Sequence, residues 1–235
     1  MAEGMVRERL NIYYLLDTSA SMSGERIQQF NTCMQDIKPA LEEAGIKNNV
    51  EIAIRVIEFG NNNKAAWSLG TSKYQFLNID NFTWMNLHAN GLSTPTSLAI
   101  NEVERAIDPE ALGTRTLRPV ILLVTDGGCT DGSLAYTDAC NKLKSKINGN
   151  TIRIAIGVKD ANKAELEEFA TNGVIGDEQN KPFVFEVNNA DTMIQVIRWA
   201  SVVSIKSSSK AGVADHSGTG TTNSDNVSIP DPTWI

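Results

Sequence analysis

The chain has 235 residues, 41% hydrophobic and 21% charged, with a formal net charge of −7. That size suits one globular domain, or one domain with a tail. The acidic balance, with Lys and Arg scattered rather than clustered, argues against nucleic-acid binding as the main role, since phosphate contacts need basic patches.

Residues 1–8 read as a polar lead. Ile12 to Leu16 is an apolar run that stops at a carboxylate, Asp17. Ser19 and Ser21 follow at alternate positions. This stretch has two readings. Ser and Asp are common helix N-caps. Placed at the carboxyl end of a buried strand, the same groups are hard oxygen donors suited to a small divalent cation.

From Glu25 the apolar residues Ile27, Phe30, Met34, Ile37 and Leu41 recur at helical spacing. Pro39 predicts a kink or break in that helix, and Gly45 its end. Val50 to Phe59 is β-branched and apolar, and predicts a central strand. Gly60 to Asn63 reads as a turn. Ala65-Ala66-Trp67 and Tyr74 to Leu77 suggest a hairpin-like edge. After an irregular stretch, 80–97, a helix presents Ala99, Ile100, Val103, Ala106 and Ile107 on one face.

Val120 to Thr125 is a continuous apolar run, hence a strand buried on both sides. It ends at Asp126-Gly127-Gly128. Leu134, Ala135, Ala139, Leu143 and Ile147 predict the next helix. Ile152 to Gly157 is a further strand, Lys163 to Ala170 a short helix and Phe183 to Val187 another strand. Met193, Val196, Ile197 and Ala200 mark a last helix, running to about Ile205. This alternation predicts an α/β fold with a largely parallel sheet and helices on both faces.

Residues 207–226 are dominated by Ser, Gly, Thr, Asn and Asp, the composition of a flexible linker. Residues 227–235 bring back large apolar side chains, with Ile229, Trp234 and Ile235. Exposed apolar residues carry a solubility cost, so this end reads as a docking peptide, for this domain or for a partner. A tail end with no role is the plainer reading.

Three loops therefore carry oxygen-bearing side chains: Asp17, Ser19 and Ser21 in the first; Ser93, Thr94 and Thr96 in the second; Asp126 and Asp131 in the third. In a parallel sheet the first and third share one edge. Two carboxylates and several hydroxyls there would suit an octahedral Mg2+, with water or a ligand completing the shell.

Asp17-x-Ser19-x-Ser21, a downstream Thr94 and Thr125-Asp126-Gly127 together resemble the metal-ion-dependent adhesion site of von Willebrand factor type A domains. The resemblance covers about residues 9–206. It implies a Rossmann-like fold with a six-stranded, mostly parallel sheet and one antiparallel edge strand. It also implies that Ser19, Ser21 and Thr94 touch Mg2+ (or Mn2+) directly and that Asp17 and Asp126 act through water. A partner's Glu or Asp would then complete the coordination. Pro95 is a departure, because it restricts the residue before it and leaves Ser93 as a rival ligand. Asp131 is either an outer partner of the site or the N-cap of the following helix.

The match is similar in more detail to the cytoplasmic bacterial TerY-like branch of tellurite-resistance and stress operons. It rests on Tyr13 to Ser19, Leu123 to Asp131, Ala164 to Phe169, and Arg198-Trp199-Ala200-Ser201 before the Ser-rich tail. That resemblance implies a Ser/Thr kinase and a metal-dependent Ser/Thr phosphatase as associates, with phosphorylation of the tail as an alternative mode of action.

An enzyme is the poorer reading. A haloacid-dehalogenase-type phosphotransferase needs Asp-x-Asp where Ser19 stands, and a serine hydrolase has only His88 as a base within the domain, with no GxSxG elbow. With two histidines and three cysteines, Cys33, Cys129 and Cys140, and no CxxC pair, neither zinc ribbon nor disulfide framework is expected. No signal-peptide core and no run of membrane length is seen. The expected setting is cytoplasmic, with no membrane and no nucleic-acid partner.

Overall fold

The computed structural model describes residues 7–60, 64–107, 116–159, 161–175, 177–187, 192, 195–197, 199–200 and 228–229. The first strand, β1 (Glu8–Asp17), is the axis of the sheet. It pairs in parallel with β2 (Val50–Phe59) on one side and with β5 (Val120–Thr125) on the other. Beyond β5 lie β6 (Ile152–Val158) and then β9 (Val184–Val187), both parallel. At the far edge β3 (Ala65–Ser68) and β4 (Leu77–Asn78) both run antiparallel to β2.

The sheet thus has seven strands, in the order β3-β2-β1-β5-β6-β9 with β4 also on β2. The six-strand expectation is met along that path. The hairpin expectation is not: β3 and β4 pair with successive parts of β2 rather than with each other.

Strand alternation divides the core. Leu10, Ile12, Tyr14 and Leu16 pack under α1 (Glu25–Asn48), together with Val196, Ile197 and Ala200 of the last helical segment. Tyr13 and Leu15 belong to the other face, under α2 (Thr96–Ala106), α3 (Ser133–Ser145) and α4 (Lys163–Phe169). Buried on both faces, β1 and β5 need the apolar runs Ile12 to Leu16 and Val120 to Val124, while β6 also buries Arg153, whose Nε donates to the Phe169 carbonyl at 3.0 Å.

Three local expectations fail for identifiable reasons. The break allowed for at Pro39 does not occur: α1 continues through it, with Ile27, Phe30, Met34 and Ile37 buried before the proline and Leu41 and Ala44 after it, so packing outweighs a lost hydrogen bond. Gly45 does not end α1. The helix runs to Asn48, capped by Asn49 in the left-handed region at φ 55°. Gly45 instead lets the helix approach β2, because a Cβ there would meet the Val50 carbonyl oxygen at 3.0 Å. In α3 the apolar stripe begins at Tyr136, while Leu134 is 86% exposed and Ala135 also faces water.

One element was not expected at all. β7 (Asn172–Ile175) and β8 (Glu178–Pro182) form an antiparallel hairpin apart from the main sheet, and β10 (Ser228–Ile229) lies parallel to β7. The linker 207–226, the turn residues Asn61 to Asn63, Met193, and Trp234 and Ile235 lie outside the described residues. Among the described residues no helix is long and apolar enough to cross a membrane.

Candidate metal centre

β1 and β5 are adjacent and parallel, so Asp17 and Asp126 reach the same edge of the sheet. The chain order reverses across β1, the kind of crevice where open α/β sheets bind ligands. The last pair of the β1–β5 ladder is Leu16 with Val124. One step beyond it, the Thr125 hydroxyl donates to Asp17 Oδ2 at 2.6 Å.

The first loop is held from two sides. Thr18 N and Oγ1 both donate to the Phe59 carbonyl, at 2.7 and 3.1 Å. Gly91 N donates to the Thr18 carbonyl at 3.0 Å, and Ala20 N to the Gly91 carbonyl at 2.7 Å. Gly60 makes the first clamp possible: at φ +135°, a Cβ would fall 2.6 Å from Ser19 N.

Ser19 N donates to Asp17 Oδ1 at 2.8 Å. Both oxygens of this carboxylate, which is 2% exposed, are therefore engaged. Burial pushes Asp17 above the usual carboxylate range. Thr125 and Ser19 pull it back by hydrogen bonding, and the neighbouring Asp126 pushes it up again.

The two serines are not used as helix caps. Ser19 stands before a short 3-10 turn, Ala20–Met22, with no side-chain cap bond, and α1 starts behind Gly24. Instead Ser19 Oγ and Ser21 Oγ lie 2.9 Å apart. Ser21 Oγ donates to Asp126 Oδ1 at 2.7 Å. On the other side Arg26 Nη1 pairs with Asp126 Oδ2 and donates to the Ser21 carbonyl at 3.0 Å.

Thr94 joins from the second loop. Its N donates to Thr130 Oγ1 at 2.9 Å, and Thr130 N donates back to the Thr94 carbonyl at 3.0 Å. Its hydroxyl lies over the third loop, 3.5 Å from where a Cβ on Gly127 would stand. Ser93 is the neighbour whose buried hydroxyl has no hydrogen-bond partner.

Asp17, Ser19, Ser21, Thr94 and Asp126 are thus gathered at one edge, with Asp17, Ser19, Thr94 and Asp126 buried and Ser21 open to solvent. Among the described residues no group of three or more His, Cys, Asp and Glu could hold a metal. The donor set here is hydroxyl-rich with two carboxylates, which fits a hard divalent cation kept partly hydrated rather than zinc-finger coordination.

The cap reading of Asp131 needs correction. α3 is preceded by Gly132 with no side-chain cap. Asp131 instead accepts from Ser97 Oγ and from Leu98 N, at 3.3 Å for the latter, so it serves the start of the preceding helix, α2. Its other oxygen takes the Cys129 thiol. His88 is exposed and borders an open cleft with Ser23, Gly24 and Asn31. Of the docking residues, Ile229 pairs in register with Ile175. Sequence reasoning missed Arg26 as a site residue, and it named Thr125 within the Thr125-Asp126-Gly127 motif without giving it a role. Thr125 had a visible cue, a hydroxyl at the end of an aliphatic strand, whereas Arg26 had none.

A model of the von Willebrand factor type A domain family matches residues 11–199. Heavy chain 4 of the inter alpha-trypsin inhibitor of Mus musculus is 28% identical over 164 residues, which is 68% of this chain and 17% of that protein. Proximal thread matrix protein 1 from the mussel byssus, with a zinc-occupied MIDAS motif (the metal-ion-dependent adhesion site), superposes with a TM-score of 0.57 at 18% identity, over 85% of this chain and 46% of that one. The pilus adhesin SpaC from Lactobacillus rhamnosus GG gives a TM-score of 0.61 at 13% identity, over 86% of this chain and 31% of that one. At these identities the structural likeness is one of fold, and the chain spans less than half of each of these relatives.

Proposed function

We propose a function from one premise: the chain belongs to the von Willebrand factor type A domain family. It is a non-enzymatic protein-interaction module whose contact depends on a divalent metal, Mg2+ or Mn2+, at the carboxyl edge of β1 and β5. Ser19, Ser21 and Thr94 would hold the metal directly, with Asp17 and Asp126 around them. A cation bound mainly by neutral hydroxyls keeps residual positive charge and so favours an anionic ligand from outside. A Glu or Asp side chain of a partner protein is that ligand.

The observation that carries this reading is the bond between Ser21 Oγ and Asp126 Oδ1, which joins groups far apart in sequence into one open, oxygen-lined edge. The zinc-occupied relative supports a divalent cation at such a motif. The TerY-like stretches support a cytoplasmic, bacterial stress or tellurite-resistance setting with a kinase and a phosphatase as associates. Cys33, Cys129 and Cys140 are not in disulfides, which fits a reducing compartment.

Calorimetry with MgCl2 and MnCl2 on the full chain tests the metal. Binding that is lost in Ser19→Ala and Ser21→Ala, with melting curves unchanged in chelator, is the expected result. Equal binding by both variants overturns the site. Hydrolysis of generic phosphate or ester substrates, abolished by Ser19→Ala, would overturn the non-enzymatic reading.

A further inference from the structure

The β7–β8 hairpin has two unlike edges. β8 carries Glu178, Gln179, Asn180 and Lys181, all exposed, with Lys181 and Glu178 paired at 2.9 Å. Such a charged outer strand resists further pairing. β7 is Asn172-Gly173-Val174-Ile175, without a charge, and Ile175 packs against the main core. An uncharged strand with a free edge is a template for any extended segment.

That edge is covered. Ser228 pairs with Val174 and Ile229 with Ile175, in parallel. The covering residues belong to the apolar end segment that follows the polar stretch 207–226. The site lies away from the metal edge: Thr171, just before β7, donates its N–H to the Arg153 carbonyl at 3.0 Å, near the amino end of β6, whereas Asp17 and Asp126 stand at the carboxyl ends of β1 and β5.

We propose that the free edge of β7 is a strand-accepting interaction site, occupied in cis by this chain's own segment around Ser228–Ile229. The chemistry it recognises is backbone pairing by an extended segment, the mode of β-strand addition. A two-residue ladder is weak by itself. Linkage to the same chain through the polar stretch 207–226 keeps the segment at high local concentration, so the pairing is both populated and reversible. The chain thereby has a second surface for contacts, independent of the metal.

The test uses the full chain with Val174→Cys and Ser228→Cys. Directly paired strand residues fall within disulfide reach. Mild oxidation of dilute protein is expected to give a monomer with a 174–228 bridge, located by peptide mass spectrometry. No such bridge, or a bridge found only between two chains, overturns the proposal. A second full-chain variant, Ser228→Pro with Ile229→Pro, removes the backbone donors of β10. Hydrogen exchange at the β7 amides that face β10 should accelerate about tenfold, with β6 unaffected. Unchanged protection of β7 overturns the proposal equally.

Discussion

Arg26 grips the outer oxygen of Asp126 while Ser21 donates to the inner one, so a single carboxylate is held by a cation on one side and a hydroxyl on the other. The Asp126 side chain is fully buried and that of Arg26 is 26% exposed. This guanidinium occupies the rim of the edge where a dication would sit, and like charges at such range repel even when partly screened.

Arg26→Gln should therefore tighten Mg2+ or Mn2+ binding, by about tenfold or more. Without metal the same change leaves Asp126 without its counter-ion, at a cost of about 1–3 kcal/mol. Calorimetry and melting with and without metal read the two effects. A variant that binds metal more weakly would show that Arg26 assists the cation instead of opposing it.

Thr125→Val removes the hydroxyl on Asp17 Oδ2 with little change in shape. The fold should persist, and metal affinity should fall by about tenfold, the equivalent of one hydrogen bond to a charged group. Isothermal titration of the variant beside the parent chain measures it.

Asp17 has its pKa raised from 3.8, chiefly by burial. For the metal-free chain the sign follows directly. The protonated form is favoured by folding, so this group's contribution to stability is present below 3.8 and is lost as pH rises through the elevated folded value. Metal prefers the carboxylate, so its affinity should fall as pH is lowered into that same window. Titrations at neutral and mildly acidic pH should show weaker binding and greater proton release at the lower pH. Affinity independent of pH would remove Asp17 from the site.

Gly60→Ala would drive a Cβ into Ser19 N, at a φ that disfavours side chains. The expected cost is about 2–3 kcal/mol, with metal binding impaired through the displaced first loop. Gly127→Ala is the useful contrast, because its Cβ would make only an ordinary 3.5 Å contact with the Thr94 hydroxyl. Chemical denaturation of both variants separates a general glycine effect from this particular close approach.

Cys129 is half-buried, yet its thiol is pushed up to about 11, first by burial and then by donating to Asp131. At neutral pH roughly one molecule in ten thousand carries the thiolate, so alkylation should be slow. Asp131→Asn should speed it and, by loosening the start of α2, cost about 1 kcal/mol. A pH–rate profile with iodoacetamide provides the check.

The parallel strands were legible in the sequence because each is rich in β-branched and aliphatic residues, and Val50 to Phe59 and Val120 to Thr125 begin and end where those stretches do. Asp17, Ser19, Ser21 and Asp126 stood out because they follow such stretches, and Thr94 because it comes just before the apolar stripe of α2. β7 and β8 were not, since Asn-Gly-Val-Ile and Glu-Gln-Asn-Lys-Pro carry almost no period of their own and depend on a neighbour for pairing. Arg26 was hidden for a different reason. A basic residue in the first turn of a helix is ordinarily a solvated one, and only the approach of β5 to β1 gives it a carboxylate.

The alternation along β1 binds the chemistry to the architecture. Tyr13, Leu15 and Asp17 share one parity, and Leu16 has the other. Deleting or inserting one residue within this strand would move Asp17 to the α1 face and present Leu16 to the bed of hydroxyls. Such an indel costs the chain both its cores and its charge pattern in the same event, so a homologue that keeps the fold through β1 can lose the aspartate only by substitution, never by slippage.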